Sequence, residues 1–149
     1  MKYSHRLSDA MHILTYLEIY HGQKISSQDL AASVDANPSL IRSLIAKMVK
    51  AGILKPKSDA PAPQLSRPAA EITLLDVYYA VEENHHLLHV DEQTNQQCPV
   101  GKNIQQCPVG KNIQPVLGKA YDQIQAAAEA MMKQITLQDV VDEVADRIK

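Results

Sequence analysis

Between residues 25 and 52 the chain reads ISSQDLAASVDANPSLIRSLIAKMVKAG, and two helix starts are written into it eleven residues apart. Ser26 followed by Asp29 has capping-box spacing, in which each side chain closes the other's free backbone N–H. Asn37 ahead of Pro38 is an N-cap with proline at the first helical position, where its missing N–H costs nothing. This punctuation forces two short helices joined by a tight turn, with Gly52 ending the second.

The second of these helices is two-faced. At about 100° per residue, Leu40, Ile41, Leu44, Ile45 and Met48 fall on one side and are expected to pack inward. Ser39, Arg42, Ser43, Ala46 and Lys50 fall on the other, with Lys47 at the edge. No acid occurs between Pro38 and Lys57. Small side chains permit close approach to a major groove, while Arg and Lys reach base edges and phosphates. Two short helices with such a face on the second make a helix-turn-helix. The competing interpretation is a solvated basic face on an ordinary three-helix core. The third helix of that core precedes the pair: Leu7, Ala10, Met11, Leu14 and Leu17 form an apolar stripe that Gly22 closes.

Charge follows the same division. Residues 1–67 hold nine Lys/Arg against five Asp/Glu, a net of +4, and residues 68–149 hold six against twelve, a net of −6. Only the first part is placed to meet a polyanion. After Gly52, Ile53-Leu54 and Gln64-Leu65-Ser66 have the spacing of two short strands around a Pro-rich tip, a β-wing. The same prolines also suit a stiff linker.

In order along the chain, ISSQDLAASVDANPSLIRSLIAKMVKAGIL, LSRPAAEITLLDVYYAVE and CPVGKNIQPVLGKAY resemble the Rrf2 (Rrf-two) family of bacterial winged helix-turn-helix transcriptional regulators, nearest its YwnA-like branch. The resemblance covers almost the whole chain. It implies a mainly α fold with a small β-wing, in which a winged helix-turn-helix is followed by a long dimerisation helix. It further implies a sequence-specific, homodimeric DNA-binding regulator, most simply a repressor, with double-stranded DNA and a second copy as partners. By position, Ser26 and Ser27 would contact phosphate at a helix start. Ser39, Arg42, Ser43 and Lys47 would face the groove, and Lys57 and Gln64 would stand on the wing. Many members carry a Gly-Gly-Tyr wing tip that enters the minor groove. Here the tip is SDAPAP with Asp59 and no arginine, so backbone contact at most is expected of it.

The domain boundaries expected are a DNA-binding domain over 1–82, a loop over 83–114, and a dimerisation helix with a C-terminal helix over 115–149. Thr73 with Asp76 opens a helix by the capping-box spacing, and Thr136 with Asp139 opens another. Between them, Leu117, Ala120, Tyr121, Ile124, Ala128 and Met131 form an apolar stripe about five turns long. Such a seam needs a partner, either the chain's own core or a second copy. The last helix is expected to pack over this clasp. A helical adaptor that binds only proteins is the alternative function.

Residues 97–114 repeat a nine-residue block, QCPVGKNIQ, in tandem. Each copy holds one of the only two cysteines, Cys98 and Cys107. Some relatives bind an iron–sulfur cluster through three cysteines here; with two, no cluster, cofactor or metal site is expected. His85, His86 and His89 lie upstream, but their spacing with the cysteines matches no established ligand set. A thiol switch between Cys98 and Cys107 is one expectation, requiring Cα atoms within about 7 Å. Two unreactive thiols in a lengthened loop are the other. The Cys-Pro-Val-Gly segments argue against continuous helix through the repeat.

No run approaches the roughly 20 apolar residues of a membrane span. MKYSHRLSDA lacks an export signal, so a cytoplasmic location with reduced thiols is expected. The chain has no Phe and no Trp, which leaves aliphatic side chains to fill the core. No Gly-rich phosphate loop or HExxH-like set is present, so no enzyme is expected.

Overall fold

The computed structural model describes residues 3–91 and 108–149. Among them are the helices α1 (Arg6–Ile19), α2 (Ser27–Val34), α3 (Pro38–Lys50), α4 (Leu74–Val81), α5 (Pro108–Gln134) and α6 (Leu137–Ile148), with one 3-10 turn at Ala69–Glu71. The chain divides into two units, Met1–His85 with Met131–Lys149, and His86–Ala130.

In the first unit the expected caps form. Ser26 and Asp29 close a complete capping box on α2. The Asn37 side chain accepts from Ser39 N at 2.7 Å and Leu40 N at 3.3 Å at the start of α3. The helices bury Ile13, Leu14, Leu30, Ile41, Leu44 and Met48 almost completely. Each such side chain contributes about 1.5–3 kcal/mol over its exposed state, and the core needs no Phe or Trp. Leu40 differs from expectation and is 36% exposed. It lies about 80° from the centre of the buried stripe at 100° per residue, so it falls off the packed edge.

The wing is reduced to one antiparallel bridge, Leu54 with Leu65, closed by Lys55 N–H to Gln64 O at 2.8 Å and Ser66 N–H to Ile53 O at 2.9 Å. Arg67 pins the wing's exit. Its guanidinium donates to Gly52 O, Glu71 O and the Asp76 carboxylate at 3.2, 3.1 and 3.0 Å.

One pairing was not anticipated. The stretch ITLLDVYYAV (72–81) recurs as ITLQDVVDEV (135–144) with Ile, Thr, Leu, Asp and two Val in register. Thr73 and Thr136, the two N-caps, form an antiparallel bridge. Leu74 N–H bonds Ile135 O, and Leu137 N–H bonds Ile72 O, both at 2.8 Å. The two helix starts thus satisfy each other's backbone. As a result α6 packs on α1 and on the 3-10 turn within the first unit. The C-terminal helix thus belongs to the same unit as residues 1–85, whereas a 115–149 domain was expected to hold it with the preceding helix.

Burial pushes the Asp76 carboxyl up, but hydrogen bonds from Thr73 and the Arg67 guanidinium outweigh it and hold the group below its ordinary 3.8. A depressed folded-state value means that the carboxylate stabilises the fold above about pH 3.8, and that this is lost as pH falls through the lower folded value. Asp76→Asn is expected to cost about 1 kcal/mol near neutral pH and much less near pH 3, read as paired urea midpoints.

In the second unit α5 begins at Pro108, not at Pro115 as the expected 83–114 loop implied. Residues 108–114 of the second repeat copy form its first two turns. Pro108 occupies the helix start, where proline is tolerated, and Asn112 Nδ2 donates to its carbonyl at 2.6 Å. Pro115 then lies inside the helix and forgoes one backbone hydrogen bond. Gln114 Nε2 donates to Asp91 O at 2.8 Å, and Gln125 Oε1 accepts from Leu87 N at 2.9 Å. Cys98 and Cys107 lie outside the described residues.

Candidate nucleic-acid interface

The outer face of α3 presents Ser39, Arg42, Ser43, Ala46 and Lys50, all exposed. Arg42 Nη2 reaches Ser39 Oγ at 3.4 Å, which draws the guanidinium along the helix surface toward its N-terminal turn. Ser43 and Ala46 keep the helix slim between the two cations. Exposed Leu40 adds an apolar contact beside Ser39 that inward packing was expected to remove.

Ser26, Ser27, Arg42, Lys57 and Gln64 border one cleft of about 610 Å³ between α2, α3 and the wing. Sequence reasoning treated these side chains as separate contacts, and the fold brings them together. Ser39, Ser43 and Lys47 lie outside the cleft. The Ser26 hydroxyl is already committed, donating to Asp29 Oδ2 at 2.8 Å while accepting from Asp29 N at 3.2 Å. The Ser26 backbone and hydroxyl bonds keep the exposed Asp29 carboxyl below its ordinary value. A fixed negative charge therefore stands at the start of α2, leaving the Ser27 amide better suited to phosphate than the Ser26 side chain.

Lys47 is drawn aside as well. Its ammonium lies 3.4 Å from Glu83 Oε1, and Arg6 lies 3.5 Å from the same oxygen. Arg6, with Lys47, holds the Glu83 carboxyl below its ordinary value. Nothing in the sequence pointed to Glu83, which is 36 residues from Lys47 in a polar stretch. Such exposed pairs are worth about 0–1 kcal/mol, so Glu83 competes weakly for Lys47. Glu83→Gln is expected to tighten DNA binding about two- to fivefold and to steepen its salt dependence by about one counterion, measured by titration at several ionic strengths.

The 27-residue α5 buries none of its residues. Val116, Ile124 and Met131 are 63%, 48% and 57% exposed. Leu117, Ala120, Tyr121 and Ala128 are half-buried along the same stripe. Val109 and Ile113, from the repeat, extend the exposed apolar side toward the helix start.

Residues 3–143 match the Rrf2 family, described as iron-dependent transcriptional regulators. The chain belongs to the Rrf2 family. It is 35% identical over 136 residues to YwnA of Bacillus subtilis strain 168, provisionally named an HTH-type transcriptional regulator, covering 91% of this chain and 94% of that one. A crystal structure provisionally described as that of a DNA-binding protein shares 33% identity, with TM-score 0.69 over 91% of this chain and 97% of the other. The fold is also similar to CymR, the global cysteine regulator of B. subtilis, at 17% identity and TM-score 0.65 over 95% and 97% of the two chains. This Rrf2 member is a DNA-binding transcriptional regulator, not an enzyme.

The Rrf2 description carries iron with it, and the donors here do not fit a three-thiolate site. The chain has two cysteines in all. Among the described residues no three His, Cys, Asp or Glu side chains are grouped to hold a metal ion. No helix among them is long and apolar enough to cross a membrane.

Proposed function

We propose that this Rrf2 regulator is a homodimeric repressor that reads a two-fold operator with one α3 from each copy, without an iron–sulfur cluster. The observation that carries this is the exposed, acid-free face of α3. Its Arg42 has the fork geometry for guanine O6 and N7, and Ser39 and Ser43 let the helix approach the groove floor. Ser27 and Lys57 meet the flanking phosphates, and Gln64 approaches from the wing. Leu117, Ala120, Tyr121, Ile124, Ala128 and Met131 on α5 pair with the same seam of a second copy, so two reading helices can sit about one DNA turn apart. The protein acts in the cytoplasm, and oxidation of Cys98 and Cys107 lowers its DNA affinity.

The test is binding to DNA from upstream of the protein's own gene, at several salt concentrations, with and without a thiol oxidant. Selective binding by colourless, iron-free protein, with one dimer per site, is expected. Binding that ignores sequence and vanishes with salt would overturn the repressor assignment. Selective binding indifferent to oxidant would remove the cysteines from the mechanism and leave the rest intact.

A further inference from the structure

The cleft between α3 and the wing is built for more than a DNA backbone. Its floor is apolar, made by Ile25, Leu30, Ile45 and Val49. Pro56, Pro61 and Pro63 stiffen the opposite wall. The lining contains Arg42, Lys50, Lys55 and Lys57 and no acid. Arg6, Lys47, Arg67, Arg147 and Lys149 have carboxylate partners, whereas Lys50, Lys55 and Lys57 have none among the described residues. A phosphodiester chain needs the cations but makes no use of a recessed apolar floor. The volume of about 610 Å³ lies in the range that holds a small organic ligand.

We infer that this cleft is an effector site for a small amphipathic anion, an apolar or aromatic body carrying one carboxylate, sulfonate or phosphate. The body lies on Ile45 and Val49, and the anionic group meets Lys50, Lys55 and Lys57 at the rim. Because Ser27, Arg42, Lys57 and Gln64 also belong to the DNA-reading surface, ligand and DNA exclude each other. This second half rests on the proposed function; the site itself does not. Linkage requires that whatever factor the ligand takes from DNA affinity, DNA takes from ligand affinity.

The probe is 8-anilinonaphthalene-1-sulfonate, with its uncharged analogue N-phenyl-1-naphthylamine, titrated by fluorescence into the full-length protein. The sulfonate is expected to bind at least about tenfold more tightly than the neutral compound, the equivalent of roughly 1.4 kcal/mol. Ala46→Phe, which fills the cleft from α3, and Lys55→Glu, an exposed change that leaves the core untouched, are each expected to weaken sulfonate binding about tenfold. Equal binding of both compounds, or sulfonate binding unaltered by both variants, would overturn the site. In a second titration, saturating sulfonate is expected to lower affinity for the upstream DNA at least about tenfold. Undiminished DNA binding by sulfonate-saturated protein would overturn the exclusion. Variant-sensitive sulfonate binding by protein that binds no DNA would uphold the site and overturn the repressor assignment instead.

Discussion

Ile124→Asp is expected to leave the protein monomeric at micromolar concentration and to lower operator affinity by roughly 10²- to 10⁴-fold, the loss that follows when two linked reading heads become one. Ile124 is 48% exposed and central on α5, with Leu117 and Tyr121 before it and Ala128 and Met131 after it. An aspartate there would have to lose its water between two apolar seams, which costs several kcal/mol when nothing pairs with it. The matching control is Lys119→Asp on an exposed position of the same helix, expected to stay dimeric. Sedimentation velocity reads both. A dimeric Ile124→Asp protein would move the self-association surface off α5.

The second large effect is expected at Arg42. Arg42→Ala should weaken operator binding roughly 5- to 150-fold, the 1–3 kcal/mol of a bidentate base contact, and relax preference at one base pair per half-site. The dimer should be untouched, since Arg42 is on α3 and the seam is on α5. Lys47→Ala should do less than a free lysine would, because Glu83 already holds that ammonium. Competition titrations against operators altered at single positions distinguish the two. Uniform weakening across sequences would make Arg42 a phosphate contact.

The parts that could be read in advance are those whose causes lie within a few residues. Ser26 with Asp29, Asn37 with Pro38, Thr73 with Asp76 and Thr136 with Asp139 each specify a helix start by themselves, and all four form. The α3 faces followed from a single angle per residue, except at the stripe edge, where Leu40 depends on whether a neighbour covers it. What stayed hidden needs distant partners. Glu83 beside Lys47, the cleft between α3 and the wing, and the attachment of α6 each join residues that no local pattern connects. The start of α5 is hidden for another reason: proline in CPVGKNIQ reads as a helix breaker, although at a first helical position it favours the start. The Thr73 and Thr136 capping boxes belong to a ten-residue likeness between 72–81 and 135–144, and it is this likeness that pairs the two helix starts.

That pairing also sets an order in time. Residues 1–85 hold every side chain proposed to face the groove, but the Ile72–Leu74 backbone and the α1 flank await α6. Leu137, fully buried in the same core, is made long after α3. At about 5–20 residues per second, synthesis of residues 86–148 lasts roughly 3–13 s, during which the reading head lacks its closing helix. The exposed apolar stripe of α5, Pro108–Gln134, is therefore made before α6 can finish the head. If the proposed α5 pairing holds, it can precede the ability to grip an operator, because the reading head is the last part of the chain to be completed.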